Sequence, residues 1–202
     1  MRLQITLNIL LAILFTVFQV TLLSSQTPCE NGMAGEFPCF GFDLQDRLTE
    51  ADLNTTFVND SWGWTNPDDG TEYAIIGLRN GTAFVDISNP NEIVLIGTLP
   101  THTTESVWRD IKVYENHAYI VSEANGHGMQ VFDLTRLTDI TATPVTFTED
   151  AHYDGFGNAH NIVINPESGY AYAVGTQTFN GGPHFIDISD PTNPTAAGGY
   201  GL

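Results

Sequence analysis

Side chains that could bind a metal are concentrated between residues 150 and 160. Asp150, His152 and Asp154 alternate along the chain, so an extended strand would place all three on one side. His160 follows after a short stretch that contains two glycines. Because imidazole and carboxylate ligands together suit zinc, iron or manganese, this segment predicts a divalent metal site. The glycines favour instead a flexible loop between blades without a metal, so no cofactor is firmly predicted.

Polar residues also recur at equivalent positions of stretches that resemble one another along the chain. The set comprises Arg109, Asp110, Gln130, His160, Asn161 and His184. The first two fall where His160 and Asn161 fall in a later stretch, and Gln130 shares a register with His184. If the stretches surround an axis, these side chains would line a central channel and could bind a ligand. The alternative is that they bond to neighbouring stretches and hold the fold together.

Two further patterns predict simpler roles. His127 lies between two glycines, which indicates a hairpin tip and a solvated side chain. Asp86, Asp133 and Asp187 each end a predicted strand just before a polar turn. A carboxylate in that position accepts backbone N–H groups, so we expect the three aspartates to cap turns.

The three tryptophans allow two interpretations. Trp62, Trp64 and Trp108 could stack on sugars at a surface, or they could fill the space between repeated sheets. Sequence motifs for a serine hydrolase, a zinc protease, a phosphate-binding loop and a dinucleotide-binding fold do not occur. No catalytic residues are therefore predicted.

These residues lie on a repeated arrangement of strands. Three stretches each contain an alternating apolar strand, an Asn-Gly pair and a further strand that ends in Asp; the pairs begin at Asn80, Asn125 and Asn180. Asn-Gly suits the two left-handed positions of a type I′ hairpin turn. Each stretch also has a strand upstream, so four short antiparallel strands recur every 45 to 55 residues. This period predicts an all-β, β-propeller-like fold of four-stranded blades; a β-sandwich is the alternative.

The length of the repeated region predicts about three blades. They would occupy residues 60–202, roughly as 60–106, 107–150 and 151–202. Propellers close with typically four to eight blades, and an open ring exposes edge strands. We therefore expect an incomplete ring, with further C-terminal blades in the parent protein or a partner that closes it.

The charge of the chain excludes several classes of partner. Six Lys and Arg residues stand against 24 Asp and Glu residues, which gives a formal net charge of −18. A surface this acidic repels phosphate backbones and anionic lipid headgroups. Binding to nucleic acid and peripheral binding to membranes are therefore not expected.

The N-terminus predicts export. Residues 1–26 combine an early positive charge, an apolar run and small polar residues, as a secretory signal peptide does. An uncleaved membrane anchor is the alternative, whereas cleavage would leave no inserted segment. In the following segment, residues 27–59, the cysteines Cys29 and Cys39 are the only two of the chain. In an exported protein such a pair predicts one disulfide.

Several stretches resemble the LVIVD-repeat proteins of the choice-of-anchor B family. They include Trp108-Arg-Asp-Ile-Lys-Val, Gly126-His-Gly-Met-Gln-Val-Phe-Asp-Leu, Ala159-His-Asn-Ile-Val-Ile and Phe185-Ile-Asp-Ile-Ser-Asp-Pro. The run from Cys29 to Cys39 is similar to the start of the same proteins. The resemblance implies a secreted or surface-attached bacterial protein with a propeller-like domain. It implies no catalytic residues.

Taken together, the sequence predicts a secreted or cell-surface binding or adhesion module that recognises an extracellular protein or a glycan. The alternative is a metal-dependent extracellular enzyme, hydrolase-like, that uses His152, Asp154 and His160. A third interpretation is a structural component of a surface layer.

Overall fold

The computed structural model of the protein describes residues 26–201. They form two compact units, residues 26–45 and residues 46–201. The predicted signal peptide lies outside the described residues except for its last position. Among the described residues, no helix is long and apolar enough to cross a membrane.

The smaller unit is a short cross-linked segment. Cys29 and Cys39 form a disulfide with their Cα atoms 5.9 Å apart, which confirms the predicted pairing. The loop between them contains a two-residue hairpin, β1 (Met33–Ala34) and β2 (Phe37–Pro38). The carboxylate of Asp43 accepts the backbone N–H of Cys29 at 2.8 Å. The bridge therefore closes a segment that buries little apolar surface of its own.

The larger unit contains three successive sheets, which we call blades 1, 2 and 3. Blade 1 is built from β3 (Val58–Thr65), β4 (Glu72–Leu78), β5 (Gly81–Asp86) and β6 (Val94–Pro100). Blade 2 contains β7 (Arg109–Tyr114), β8 (His117–Ser122), β9 (Met129–Asp133) and β11 (Ala151–Tyr153). Blade 3 contains β12 (Asn161–Asn165), β13 (Tyr170–Val174), β14 (His184–Asp187) and β15 (Thr195–Gly199). Two short 3-10 helices occupy Leu134–Leu137 and Phe179–Gly181.

The blades are arranged side by side around their first strands. Within each blade these four strands pair antiparallel. Strand β7 lies against both β3 and β12, so these three are the inner strands of the assembly. The fold is therefore all-β and propeller-like, as predicted, and within residues 26–201 the blades do not close into a ring.

One strand departs from the simple repeat. Strand β10 (Val145–Thr146) follows blade 2 in the chain but pairs in parallel with β6 of blade 1, opposite Gly97 and Thr98. A Cβ at position 97 would overlap the carbonyl oxygen of Val145, so glycine permits this close approach. The chain thereby ties blade 2 to the outer edge of blade 1.

Alternation along the strands gives each blade two packed faces. Ile120 and Phe132 of blade 2 face blade 1, whereas Tyr119, Val121 and Val131 face blade 3. We call the contact between blades 1 and 2 the first interface and the contact between blades 2 and 3 the second interface.

The two interfaces have different cores. At the first interface the rings of Phe84 and Phe132 stack with centroids 4.5 Å apart, and Phe147 packs against both. The second interface combines small residues such as Ala171 and Ala173 with aliphatic side chains and with an edge-on pair of rings, Tyr153 and Phe156. Both clusters consist of side chains that are almost completely buried.

The predicted Asn-Gly hairpin turns were partly wrong. The two-residue turn between β4 and β5 is formed by Arg79 and Asn80, and neither Asn80 nor Gly81 has a positive φ. A two-residue turn with two left-handed positions occurs instead between β7 and β8, at Glu115 and Asn116. Asparagine and glutamate supply this turn without glycine.

The aspartates that end the third strands do cap turns, as predicted. Asp86 accepts the N–H of Ser88 at 2.9 Å, and Asp187 accepts the N–H of Ser189 at 3.0 Å. Asp133 accepts the N–H of Thr135 at 2.9 Å and begins the first 3-10 helix. In all three blades, therefore, the aspartate that ends the third strand accepts the backbone N–H of the residue two positions later.

Candidate functional site

The inner strands are joined by two aspartates, which we call the inner carboxylates. Asp60 on β3 accepts the backbone N–H of Ile111 on β7 at 2.9 Å. Asp110 on β7 accepts the N–H of Ile162 on β12 at 2.7 Å. Each carboxylate thus links its own blade to the next one.

The two inner carboxylates differ in their electrostatic environment. Burial raises the pKa of Asp60, and the neighbouring Asp110 raises it further. Burial also acts to raise the pKa of Asp110, but hydrogen bonds from the Lys112 ammonium and from the Ile162 N–H outweigh it, so this pKa is lowered. Asp110 is therefore the carboxylate that stays ionised as the pH falls.

Arg109, which was predicted from the sequence to line a channel, is buried at the first interface. Its Nε donates to the carbonyl of Leu78 at 2.7 Å, and Nη2 donates to the carbonyl of Arg79 at 3.3 Å. Nη1 lies 2.9 Å from Nε2 of His127. Because a guanidinium only donates, His127 must accept there, and its Nδ1–H donates to the carbonyl of Gly128.

His127 is therefore buried and neutral, and the prediction of a solvated hairpin tip was wrong. Burial, reinforced by the charge of Arg109, lowers its pKa to about 4. The flanking Gly126 and Gly128 adopt left-handed φ values of 75° and 60°. A Cβ on Gly128 would also overlap the carbonyl oxygen of Tyr153, so only glycine lets the chain carry His127 inward.

Gln130 and His184 lie between blades rather than along an open channel. Gln130 donates from Nε2 to the carbonyl of Pro100 at 3.1 Å and to Glu149 at 2.8 Å. His184 is hydrogen-bonded through Nε2 to the Tyr153 hydroxyl at 2.7 Å and through Nδ1 to the Thr178 hydroxyl at 2.8 Å. Burial lowers the pKa of His184.

The remaining pair of the predicted channel set is exposed. Asn161 donates from Nδ2 to Asp110 at 3.2 Å, so it belongs to the bonding between blades 2 and 3. His160 pairs through Nδ1 with the carboxylate of Glu123. The structure thus places Arg109, Asp110 and Asn161 in blade-to-blade bonds and leaves His160 at the surface.

The predicted metal-binding set is not brought together. The carboxylate of Asp150 is held by Arg136 at 2.7 Å and by the N–H of Asp133. His152 donates a hydrogen bond to the carbonyl of His127. Asp154 is exposed, and His160 pairs with the carboxylate of Glu123. Alternation in the sequence did not group these side chains, because only residues 151–153 form a strand.

The structure instead places beside His152 two residues that no sequence pattern indicated. These are His102, in the loop after β6, and Glu149, just before β11. No local spacing could have indicated the pair, since 47 residues separate them. Asp60 was also missed, although its alignment with Asp110 one repeat later was visible in the sequence.

The tryptophans divide between core and surface. Trp64 is buried and donates from Nε1 to the side chain of Asn116 at 3.1 Å, so it fills the first interface. Trp62 is 42% exposed and lies under the Lys112 ammonium, which is 4.6 Å from the ring centroid. Trp108 is 52% exposed.

Trp108 is an exposed ring on a fixed backbone. Its carbonyl accepts hydrogen bonds from the Ser122 hydroxyl at 3.0 Å and from the N–H of Glu123 at 3.3 Å, and its N–H donates to the Ser106 hydroxyl at 3.1 Å. Glu123 in turn pairs with His160. We call Trp108, Glu123 and His160 the Trp108 surface; it lies where β7 and β12 begin and β8 ends.

Comparison with known proteins gives a family for the repeats. A family model described as the LVIVD repeat matches residues 71–101, 108–127 and 157–201. These stretches contain strands of blades 1, 2 and 3 respectively. No curated protein matches the chain.

Proposed function

This chain belongs to the LVIVD-repeat family, and from that premise we propose that it is a binding module of the cell exterior whose ligand is a glycan or a protein. The exterior location is supported by the disulfide and by the signal peptide predicted from the sequence. The resemblance to surface-attached choice-of-anchor B proteins supports the same location.

The observation that carries the proposal is the Trp108 surface. The Trp108 indole is half exposed, and its backbone is already fixed by four hydrogen bonds. A rigid aromatic side chain loses little conformational entropy on binding, which is why tryptophan is enriched at binding hot spots.

The neighbouring polar groups favour a glycan. The carboxylate of Glu123 accepts hydrogen bonds, and the imidazole of His160 can donate or accept. An apolar ring beside such groups matches a sugar, which presents C–H groups on one face and hydroxyls around its rim. A glycan is therefore the class of ligand that this surface favours.

A glycan array probed with the whole chain tests the proposal. We expect selective binding that falls at least about tenfold in Trp108→Ala. Phe40→Ala is the matched control, because Phe40 is an aromatic residue 94% exposed in the smaller unit. Unchanged binding by the Trp108 variant would remove this surface from the proposal. Failure to bind any member of the array or of a panel of extracellular proteins would overturn the binding function itself.

The metal-dependent hydrolase offered by the sequence analysis has no support from these contacts. It requires His152, Asp154 and His160 to act together. His152 faces the carbonyl of His127, whereas His160 pairs with Glu123. We therefore propose no enzyme on that set.

A further inference from the structure

We propose that His102, Glu149 and His152 form a binding site for a divalent transition-metal ion of the zinc class, at the outer edge of the first interface. This inference does not depend on the proposed glycan-binding function. Each residue offers one ligand atom, and the three atoms lie within 4.8 Å of one another. Among residues 26–201 this is the group of His, Cys, Asp and Glu side chains that meets this spacing.

The distances are close to those that a metal ion requires. With metal–ligand bonds of about 2.1 Å, two ligands of a tetrahedral ion lie about 3.4 Å apart. His102 Nδ1 and Glu149 Oε1 are 2.8 Å apart, so this pair needs to open by about half an ångström. The imidazole rings of His102 and His152 are stacked, with centroids 3.7 Å apart and planes inclined by 9°. The side chains are thus already gathered, and the two stacked rings must tilt relative to one another so that their in-plane lone pairs converge on one ion.

The hydrogen bond of His152 leaves it ready to act as a ligand. Its Nε2 lies 2.7 Å from the backbone carbonyl of His127. Because a carbonyl only accepts, Nε2 must carry the proton, and the neutral ring therefore keeps its lone pair on Nδ1. Histidines that bind metals typically donate their other N–H to a carbonyl or carboxylate in this way. The carbonyl that fixes His152 is itself positioned by the buried contact between His127 and Arg109.

Glu149 is also held in place by a buried side chain. Its Oε2 accepts Nε2–H of Gln130 at 2.8 Å, which leaves Oε1 directed to His102. Gln130 is 2% exposed, and its Oε1 is buried without a hydrogen-bond partner. Gln130, Glu149 and His102 line one groove of about 250 Å³.

The donor set and the exposure define the kind of ion. Two imidazole nitrogens and one carboxylate oxygen suit zinc and related ions, whereas magnesium and calcium prefer oxygen ligands alone. The side chain of His102 is 34% exposed, so an ion can enter from solvent. Three protein ligands at an accessible site leave a coordination position for water or for a group of a bound molecule.

Isothermal titration of the whole untagged chain with Zn²⁺ alone tests the site. We expect one ion per chain, with affinity reduced at least about tenfold in His102→Ala and in Glu149→Gln. His160→Ala is the matched control, because His160 is also an exposed histidine paired with a glutamate. This control should bind Zn²⁺ like the unmodified chain, and circular dichroism verifies that each variant is folded.

The visible absorption spectrum of bound Co²⁺ provides a second test, because it depends on the number of metal ligands. Co²⁺ in place of Zn²⁺ should give visible absorption bands typical of four or five ligands, and both site variants should lose them. Absence of stoichiometric Zn²⁺ binding would overturn the proposal. It would equally be overturned if His160→Ala abolished binding while His102→Ala did not, since the ion would then lie elsewhere.

Discussion

The two interfaces between blades share the same inner-strand contact but differ in the side chains of their cores. Both are closed at the inner strands by an aspartate that accepts an N–H of the following blade. The first interface then adds stacked phenylalanines and a buried Arg109–His127 contact. The second adds small and aliphatic residues, an edge-on Tyr153–Phe156 pair and a Tyr153–His184 hydrogen bond.

This difference separates structural features from candidates for function. A feature present at both interfaces, such as the inner carboxylate, serves the repeat itself. A feature present at only one interface needs another explanation. By that criterion the cluster of His102, Glu149 and His152 stands out, because it occurs at the first interface alone among the described residues.

The largest effect that we expect comes from removing an aromatic ring of the first interface. Phe132→Ala should lower the free energy of unfolding by about 4 kcal/mol, because it leaves a cavity between Phe84 and Phe147. Ile186→Ala at the second interface should cost about 3 kcal/mol. Urea unfolding measures both. A larger loss for Ile186→Ala than for Phe132→Ala would contradict this order.

Acid should weaken the first interface through His127. Its pKa is about 4 in the folded state against 6.5 when unfolded, so the unfolded state binds the proton more readily. The stability contributed by neutral His127 is complete above pH 6.5 and falls by about 3 kcal/mol as the pH decreases to 4. Denaturant unfolding across this range measures the loss.

His127→Gln tests that assignment, since glutamine can accept from Arg109 and does not titrate. We expect its stability to fall less between pH 6.5 and 4 than that of the unmodified chain. A residual loss is expected, because burial lowers the pKa of His184 in the same direction. An unchanged pH profile would exclude His127 as the main source.

The inner carboxylates should differ when each is neutralised. Asp110→Asn should cost about 2 kcal/mol, because it removes a charged acceptor and leaves Lys112 without its ion pair. Asp60→Asn should cost about 1 kcal/mol, since burial already disfavours its charged form. Thermal unfolding of the two variants compares them directly. Equal losses would show that Lys112 adds nothing to the second link.

The smallest effect concerns the exposed contact between Lys112 and Trp62. Trp62→Leu should cost about 0.5 kcal/mol, because a cation–π contact at an exposed site is weak. Trp62→Phe keeps a ring and should cost less. Chemical denaturation of the three proteins resolves the order, and a loss above about 2 kcal/mol would mean that Trp62 is part of the first-interface core.

The repeat and the aspartate caps of its turns could be predicted because their causes are local. Alternating apolar residues predicted the strands, and an aspartate at each strand end predicted the turn caps. Cys29 and Cys39 had no other partners in the chain. Each of these inferences depended on residues close together in the sequence.

The candidate sites depended on contacts that no local pattern encodes. His127 looked exposed because its two glycines suggested a loop, whereas their left-handed conformations turn it inward. The pairing of β10 with β6 rests on two residues that cross back to an earlier blade. His102 and Glu149 meet only because that crossing and the packing of blades 1 and 2 bring distant loops together.

The inner carboxylates also give the assembly a direction. In both links the acceptor comes earlier in the chain than the donor, from Asp60 to Ile111 and from Asp110 to Ile162. Because a polypeptide is made from its N-terminus, the acceptor carboxylate of each link is synthesised before the N–H group that it binds. Contacts between inner strands can then form in the order of synthesis, whereas β10 joins blade 1 only after β7, β8 and β9 have been made.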